Sequence, residues 1–137
     1  MDTNVVVSAL RGAVSNPGPA RALIRAALSG HCIPLFGNAL WLEYEDLLGR
    51  HDWTPATTDR ERRVIVGMLI KAGEWIDIHF RWRPNLPDEA DNHLFELAVA
   101  GNAEAIVTYN VNDLRRGELR WPGLNVLTPA QYMERLP

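Results

Sequence analysis

Cysteine and lysine are nearly missing from this chain: Cys32 stands alone, and Lys71 is the one lysine among 14 basic residues. A lone cysteine makes no internal disulfide, and no Cys/His pairs stand at zinc-ligand spacing. Cys32, in "HCIPLF", therefore reads as a small core residue. The lysine scarcity bears on a second class. A phosphoacceptor signalling domain sets acids and a lysine at strand ends, whereas Lys71 falls inside a helix-patterned segment. That class fits poorly.

No apolar run is long enough to cross a bilayer, and no basic segment followed by an apolar core opens the sequence. We therefore expect no membrane contact and a cytoplasmic location. Net charge is -3 with a pI near 5.8, so there is no global basic field to draw nucleic acid. Such a contact has to be local. Arginines do cluster, in "DRERR" (Asp59 to Arg63), "RWR" (Arg81 to Arg83) and "LRRGELR" (Leu114 to Arg120). The first reads as a solvated mixed-charge surface. The other two hold or flank Trp82 and Trp121, a pairing that suits single-stranded phosphates and bases, although tryptophans also anchor cores. His51, His79 and His93 are scattered and His31 is near no candidate site, so no nucleophile-histidine arrangement emerges.

What is present fits one domain, residues 1–137, with 47% hydrophobic content and enough length to bury a core. "NVVVSAL" reads as a short β-branched strand, and "NPGP" as a turn into a helix over Ala20 to Leu28 that Gly30 ends. "CIPLF" is strand-like, and Asn38 can cap a helix running to Leu48. A helix follows over Asp59 to Ala72. "EWIDIHF" alternates as a half-buried strand does. The Asp91 to Ala100 helix, the strand "AEAIVT", a polar loop, the strand "LNVLT" and a helix from Pro129 complete the pattern. Alternating strands and helices predict a mainly parallel sheet with helices on both faces, and ligands bind beyond the carboxyl ends of such strands.

Acids gather at that edge. "DEADNHLFELA" puts Asp88, Glu89 and Asp91 where a helix begins, and helix N-termini favour acids, so Asp88 as N-cap and Asp91 as its capping-box partner is a structural account. Asp2 in "MDTN", Asn110 and Asp113 in "TYNVND", and Glu43 beside Glu45 and Asp46 are each explicable alone as turn, cap or surface residues. Together they offer oxygen ligands from four segments. Several carboxylates brought together repel one another unless a hard cation joins them, and Mg²⁺ prefers oxygen.

The order "DTNVVVSAL", "LWLEYEDLL", "DEADNHLFELAVAGNAEAIVTYNVNDL", "PGLNVLTPAQYM" resembles PIN-domain proteins, specifically VapC-like toxins of toxin-antitoxin systems, over essentially the whole chain. The resemblance implies a PIN-like α/β/α sandwich with a central mainly parallel sheet. It also implies a Mg²⁺- or Mn²⁺-dependent ribonuclease, a homodimer, and an antitoxin partner. Carried over by position, Asp2, Glu43 and Asp91 are catalytic and metal-binding acids, and the fourth position falls on Asp113 or Asn110, with Asp113 supplying the charge. Asp88, Thr108, Asn110 and Asn4 support them. Family members carry apolar residues before the first acid, which here follows Met1 directly, so a shortened first strand is expected. A degenerate, noncatalytic PIN-like binding module is the competing reading. The helices from Ala20 and Asn38 are expected to form part of a groove for the antitoxin with their apolar stripes, the alternative being that the stripes face the protein's own core.

Overall fold

In the computed structural model, which describes residues 1–11, 18–50, 52–53, 57–78, 92–115 and 123–137, the β-branched run near the N-terminus is a helix. This corrects the expected strand: α1 spans Thr3–Arg11 and buries Val5, Val6, Ala9 and Leu10. Those positions recur with helical spacing, and burial of that stripe outweighs the weak strand preference of three valines. The Val5 N–H donates to the Asp2 carbonyl at 3.1 Å, closing the first turn.

Helix α2 spans Gly18–Leu28, and its left-handed stop is Gly30, at φ 81°. Strand β1 is Leu35–Phe36 and helix α3 is Asn38–Leu48, entered through Gly37 in extended conformation, so Asn38 is the first helical residue and not the cap. Helix α4 spans Asp59–Ala72, as the periodicity predicts, behind a Thr58–Glu61 capping box. Strand β2 is Glu74–Trp75, shorter than the alternation in "EWIDIHF" indicates; His79 and Phe80 lie outside the described residues. Helix α5 is Asn92–Ala100, β3 is Ala105–Val107, and β4 is Asn125–Leu127. The expected polar loop after β3 contains a short helix, α6, Val111–Arg115. Helix α7, Pro129–Arg135, starts at a Thr128–Gln131 capping box with proline in its first turn.

Both strand pairings are parallel, β1 with β2 and β3 with β4. Among the described residues they form two separate two-stranded sheets in place of the single central sheet expected. No strand among the described residues is hydrogen-bonded between β1 and β3. Helix α5 packs against both pairs and ties them together, while α1, α2 and α7 pack in succession. One core cluster runs through all these elements, from Val5 and Val6 through Leu40 and Leu69 to Leu114 and Tyr132. No helix among the described residues is long and apolar enough to cross a membrane.

The apolar stripes expected to face a partner are core. Leu23 and Ile24 on α2, and Leu40, Tyr44, Leu47 and Leu48 on α3, are all buried. The large apolar side chains left exposed are instead Leu42 on α3 and Val64 and Met68 on α4, with Ile33, Trp75 and Tyr109 elsewhere.

Candidate active site

The turn before α1 and the turn after β3 are stitched to each other. The Asp2 N–H donates to the Val107 carbonyl at 2.9 Å, which brings the Asp2 carboxylate to the carboxyl end of β3. There the Thr108 hydroxyl donates to Asp2 Oδ2 at 2.7 Å. Thr108 in turn accepts from the Asn4 amide at 3.3 Å and from the Asn110 backbone N–H at 3.0 Å. Asn4 Oδ1 receives the Tyr109 N–H at 3.3 Å, and the Thr3 hydroxyl lies 3.4 Å from Asp2 Oδ1. "DTN" and "TYN" therefore act as one unit, as their predicted placement on one edge requires.

Asp2 is only 6% exposed, and none of the side-chain ion pairs among the described residues involves it; the described positive charge that acts on it is the buried Met1 ammonium next to it. Burying a carboxylate is costly unless hydrogen bonds and opposite charge compensate it. Its position ahead of α1 places it in the favourable field of a helix N-terminus, which offsets part of that cost.

Glu43, on α3, is separated from its acidic neighbours by the helix geometry. Glu45 and Asp46 are exposed, and Asp46 pairs with Arg50 at 3.3 Å. Glu43 is half-buried, and its Oε1 lies 2.9 Å from His93 Nε2 on α5, which leaves Oε2 as the oxygen not committed to His93. The sequence shows His93 only as one of three scattered histidines and gives it no role; the contact with Glu43 arises from packing. His93 is buried, and its Nδ1 has no hydrogen-bond partner among the described residues. Tyr44 links the two acids: its hydroxyl donates to the Met1 carbonyl at 3.0 Å. Burial pushes its pKa well up, with the Asp2 and Glu43 charges adding to the rise.

The remaining candidates divide. Asp113 is exposed in the first turn of α6, and Asn110 is exposed. Asp88 and Asp91 lie outside the described residues, as do Trp82, Trp121 and most of the Arg-rich segments around them. Asp91 immediately precedes α5, whose first residue, Asn92, is buried, as is Glu96 one turn on. Sequence reasoning missed Tyr44, His93 and Glu96. The signal for the last two is that Asn92, His93 and Glu96 share one face of an otherwise apolar helix, "NHLFELAVA".

A profile of the PIN domain matches residues 1–112, so this chain belongs to the PIN-domain family. No curated protein and no solved structure matches it. PIN domains are α/β/α folds and as a class nucleases that act on nucleic acid, typically with divalent metals. Among the described residues no three His, Cys, Asp or Glu side chains converge on one point. The described donors nevertheless suit a hard cation: Asp2, Glu43 and Asp113 are carboxylates, the first buried, the second with one oxygen not committed to His93 and the third exposed.

Proposed function

We propose that this protein is a Mg²⁺- or Mn²⁺-dependent endoribonuclease that serves as the toxin of a type II toxin-antitoxin system, working as a homodimer under control of an antitoxin protein. The observation that carries the metal-dependent part is the burial of the Asp2 carboxylate, held by Thr108 at the carboxyl end of β3 and in no side-chain ion pair among the described residues. Asp2 and Glu43 would hold the ion with Asp91 and Asp113, while Asp88 acts from the periphery. A bound divalent ion supplies activated water and stabilises the departing oxygen of a phosphodiester. The chain's own residues fix the oxygens that meet it. Thr108 and Asn4 fix Asp2, and His93 fixes Glu43 through Oε1. Leu42, Val64 and Met68 are exposed apolar side chains available to a dimer or antitoxin contact.

The expected result is cleavage of single-stranded or loop RNA with Mn²⁺ and none in excess EDTA. Asp2→Asn, Glu43→Gln and Asp91→Asn each lose most of that cleavage with little change in melting temperature. Asp88→Asn loses less, because Asn caps a helix about as well as Asp, and Asp113→Asn falls between. Cleavage that persists in EDTA rejects the metal-dependent reading. A second reading, a noncatalytic binding module, is favoured by the lack of a three-acid cluster among the described residues. It gains if Mn²⁺ neither supports cleavage nor raises the melting temperature.

A further inference from the structure

The core explains one side of α1 and leaves the other to be accounted for. Asn4, Ser8 and Arg11 recur at helical spacing and so share one face, which begins beside Asp2 and runs the length of the helix. At about 1.5 Å per residue the face extends roughly 14 Å from Asp2 to Arg11. Tyr109, 43% exposed, lies along its first half. The Tyr109 backbone N–H donates to Asn4 Oδ1 at 3.3 Å, and its hydroxyl stands 3.4 Å from Ser8 Oγ, one turn further on. A ring tied at both ends has little freedom left to lose, so a flat partner meets it at low entropic cost.

The far end of the face is positively charged. The Arg11 and Arg62 guanidinium carbons stand 5.2 and 4.6 Å from the centroid of the Trp53 ring. Arg11 pairs with the exposed Asp52 carboxylate at 3.3 Å and reaches the Asp52 carbonyl at 3.4 Å. Arg62 is buried, donates to the Thr57 carbonyl and hydroxyl, and joins no ion pair among the described residues. Its Nε has no hydrogen-bond partner there either. Two cations against one carboxylate leave a surplus of positive charge at this spot, in a chain whose net charge is -3. Arg62 is too buried to touch a ligand, so it acts through its field on whatever Arg11 meets.

We propose that this face is a substrate track: single-stranded RNA lies along α1, with one base stacked on Tyr109 beside the Asp2 carboxylate and a phosphate further along meeting Arg11. At a rise of about 3.4 Å per stacked nucleotide, the face takes about four. A fixed aromatic followed by a local basic spot suits a single strand, because every base offers a π-face and every nucleotide a phosphate. The inference rests on the ribonuclease reading for the nature of the strand, and binding tests it apart from cleavage.

The test measures binding of a fluorescein-labelled single-stranded RNA of about ten nucleotides, in EDTA and at low salt. Tyr109→Ala should weaken binding by about tenfold or more and Tyr109→Phe by less than about twofold, because stacking needs the ring and not its hydroxyl. Arg11→Gln should weaken binding and flatten the slope of log Kd against log salt by about 0.7, the share of one phosphate contact on a single strand. Asp52→Asn should tighten binding by removing the competing carboxylate. If the Arg11 to Asp52 pair is merely structural, both of its variants move binding in the same direction, and that result overturns the phosphate contact. Tyr109→Ala that melts and binds like the parent, or a parent that does not bind the RNA, overturns the track. So do Tyr109 and Arg11 variants that change self-association by sedimentation and leave RNA binding untouched, since the face is then a protein contact. With Mn²⁺ present, Tyr109→Ala should raise KM more than it lowers kcat. A parent that binds RNA through Tyr109 and never cleaves it rejects the ribonuclease reading and upholds the track; cleavage that is indifferent to Tyr109 and Arg11 does the reverse.

Discussion

Thr108 has no exposed surface, and its hydroxyl holds three partners, which is all that one donor and two lone pairs allow. Because Asn4 and Asn110 fill both lone pairs, the hydroxyl proton is directed at Asp2, which must accept it. Thr108→Val keeps the shape and removes all three bonds. We expect it to cost roughly 1–3 kcal/mol of stability by thermal melting, and to lower metal affinity or cleavage by about 10–100-fold. Thr108→Ser should recover most of both. Equal Mn²⁺ affinity in the Val and Ser variants would separate Thr108 from the site. Much of this cluster was legible: "DTN" and "TYN" pointed to Asp2, Asn4, Thr108 and Asn110. Their division of labour was not, since Asn110 contributes its backbone N–H to Thr108. The Glu43–His93 contact joins residues 50 apart on two helices. Only packing brings them together, so no local pattern announces it.

At the scale of elements, α4 follows its sequence signals closely because apolar period, cap and stop residue agree, while α3 keeps its span without a side-chain cap and α7 starts at Pro129 as its sequence indicates. In α1 the signals conflict. Three consecutive valines favour a strand by composition, yet Val5, Val6, Ala9 and Leu10 fall on one helical face, and period predicts burial better than composition does. The short strands have a different weakness. With two or three residues each, β1 to β4 depend on neighbours for their position, and Gly73 shows how closely. It ends α4, and a Cβ there would clash with the Pro34 carbonyl and crowd the Phe36 ring. The glycine lets the start of β2 approach the chain entering β1, where the Glu74 N–H donates to Pro34 at 3.0 Å. Gly73→Ala is therefore expected to destabilise by about 1–3 kcal/mol through overpacking. Gly67→Ala, in the interior of α4 with open space around it, should instead stabilise by up to about 1 kcal/mol. Melting of the two variants side by side checks both signs.

Across the whole molecule, the space between the strand pairs gathers groups that resist ionisation, and this sets a pH dependence. Burial pushes the Cys32 thiol above its ordinary 9.0, opposed in part by its hydrogen bond with Tyr132. Burial also raises the Tyr132 hydroxyl from 10.0 to about 12, with the Cys32 and Glu104 charges contributing; that hydroxyl lies 3.4 Å from Glu104 Oε1. Both groups are neutral acids whose folded values exceed their unfolded ones. Between the two values the unfolded chain has released the proton and the folded chain has kept it, so stability falls as pH rises. The stabilising contribution is intact below about pH 9, is lost first through Cys32, and continues to fall as pH climbs above 10 through Tyr132 and the fully buried Tyr44. The chain should therefore melt at progressively lower temperature above about pH 9. Tyr132→Phe should flatten the upper part of that slope and Cys32→Ala the lower part. A parent Tm independent of pH between about 8 and 11, or a slope unchanged in both variants, would show that neither group holds its proton more tightly in the fold.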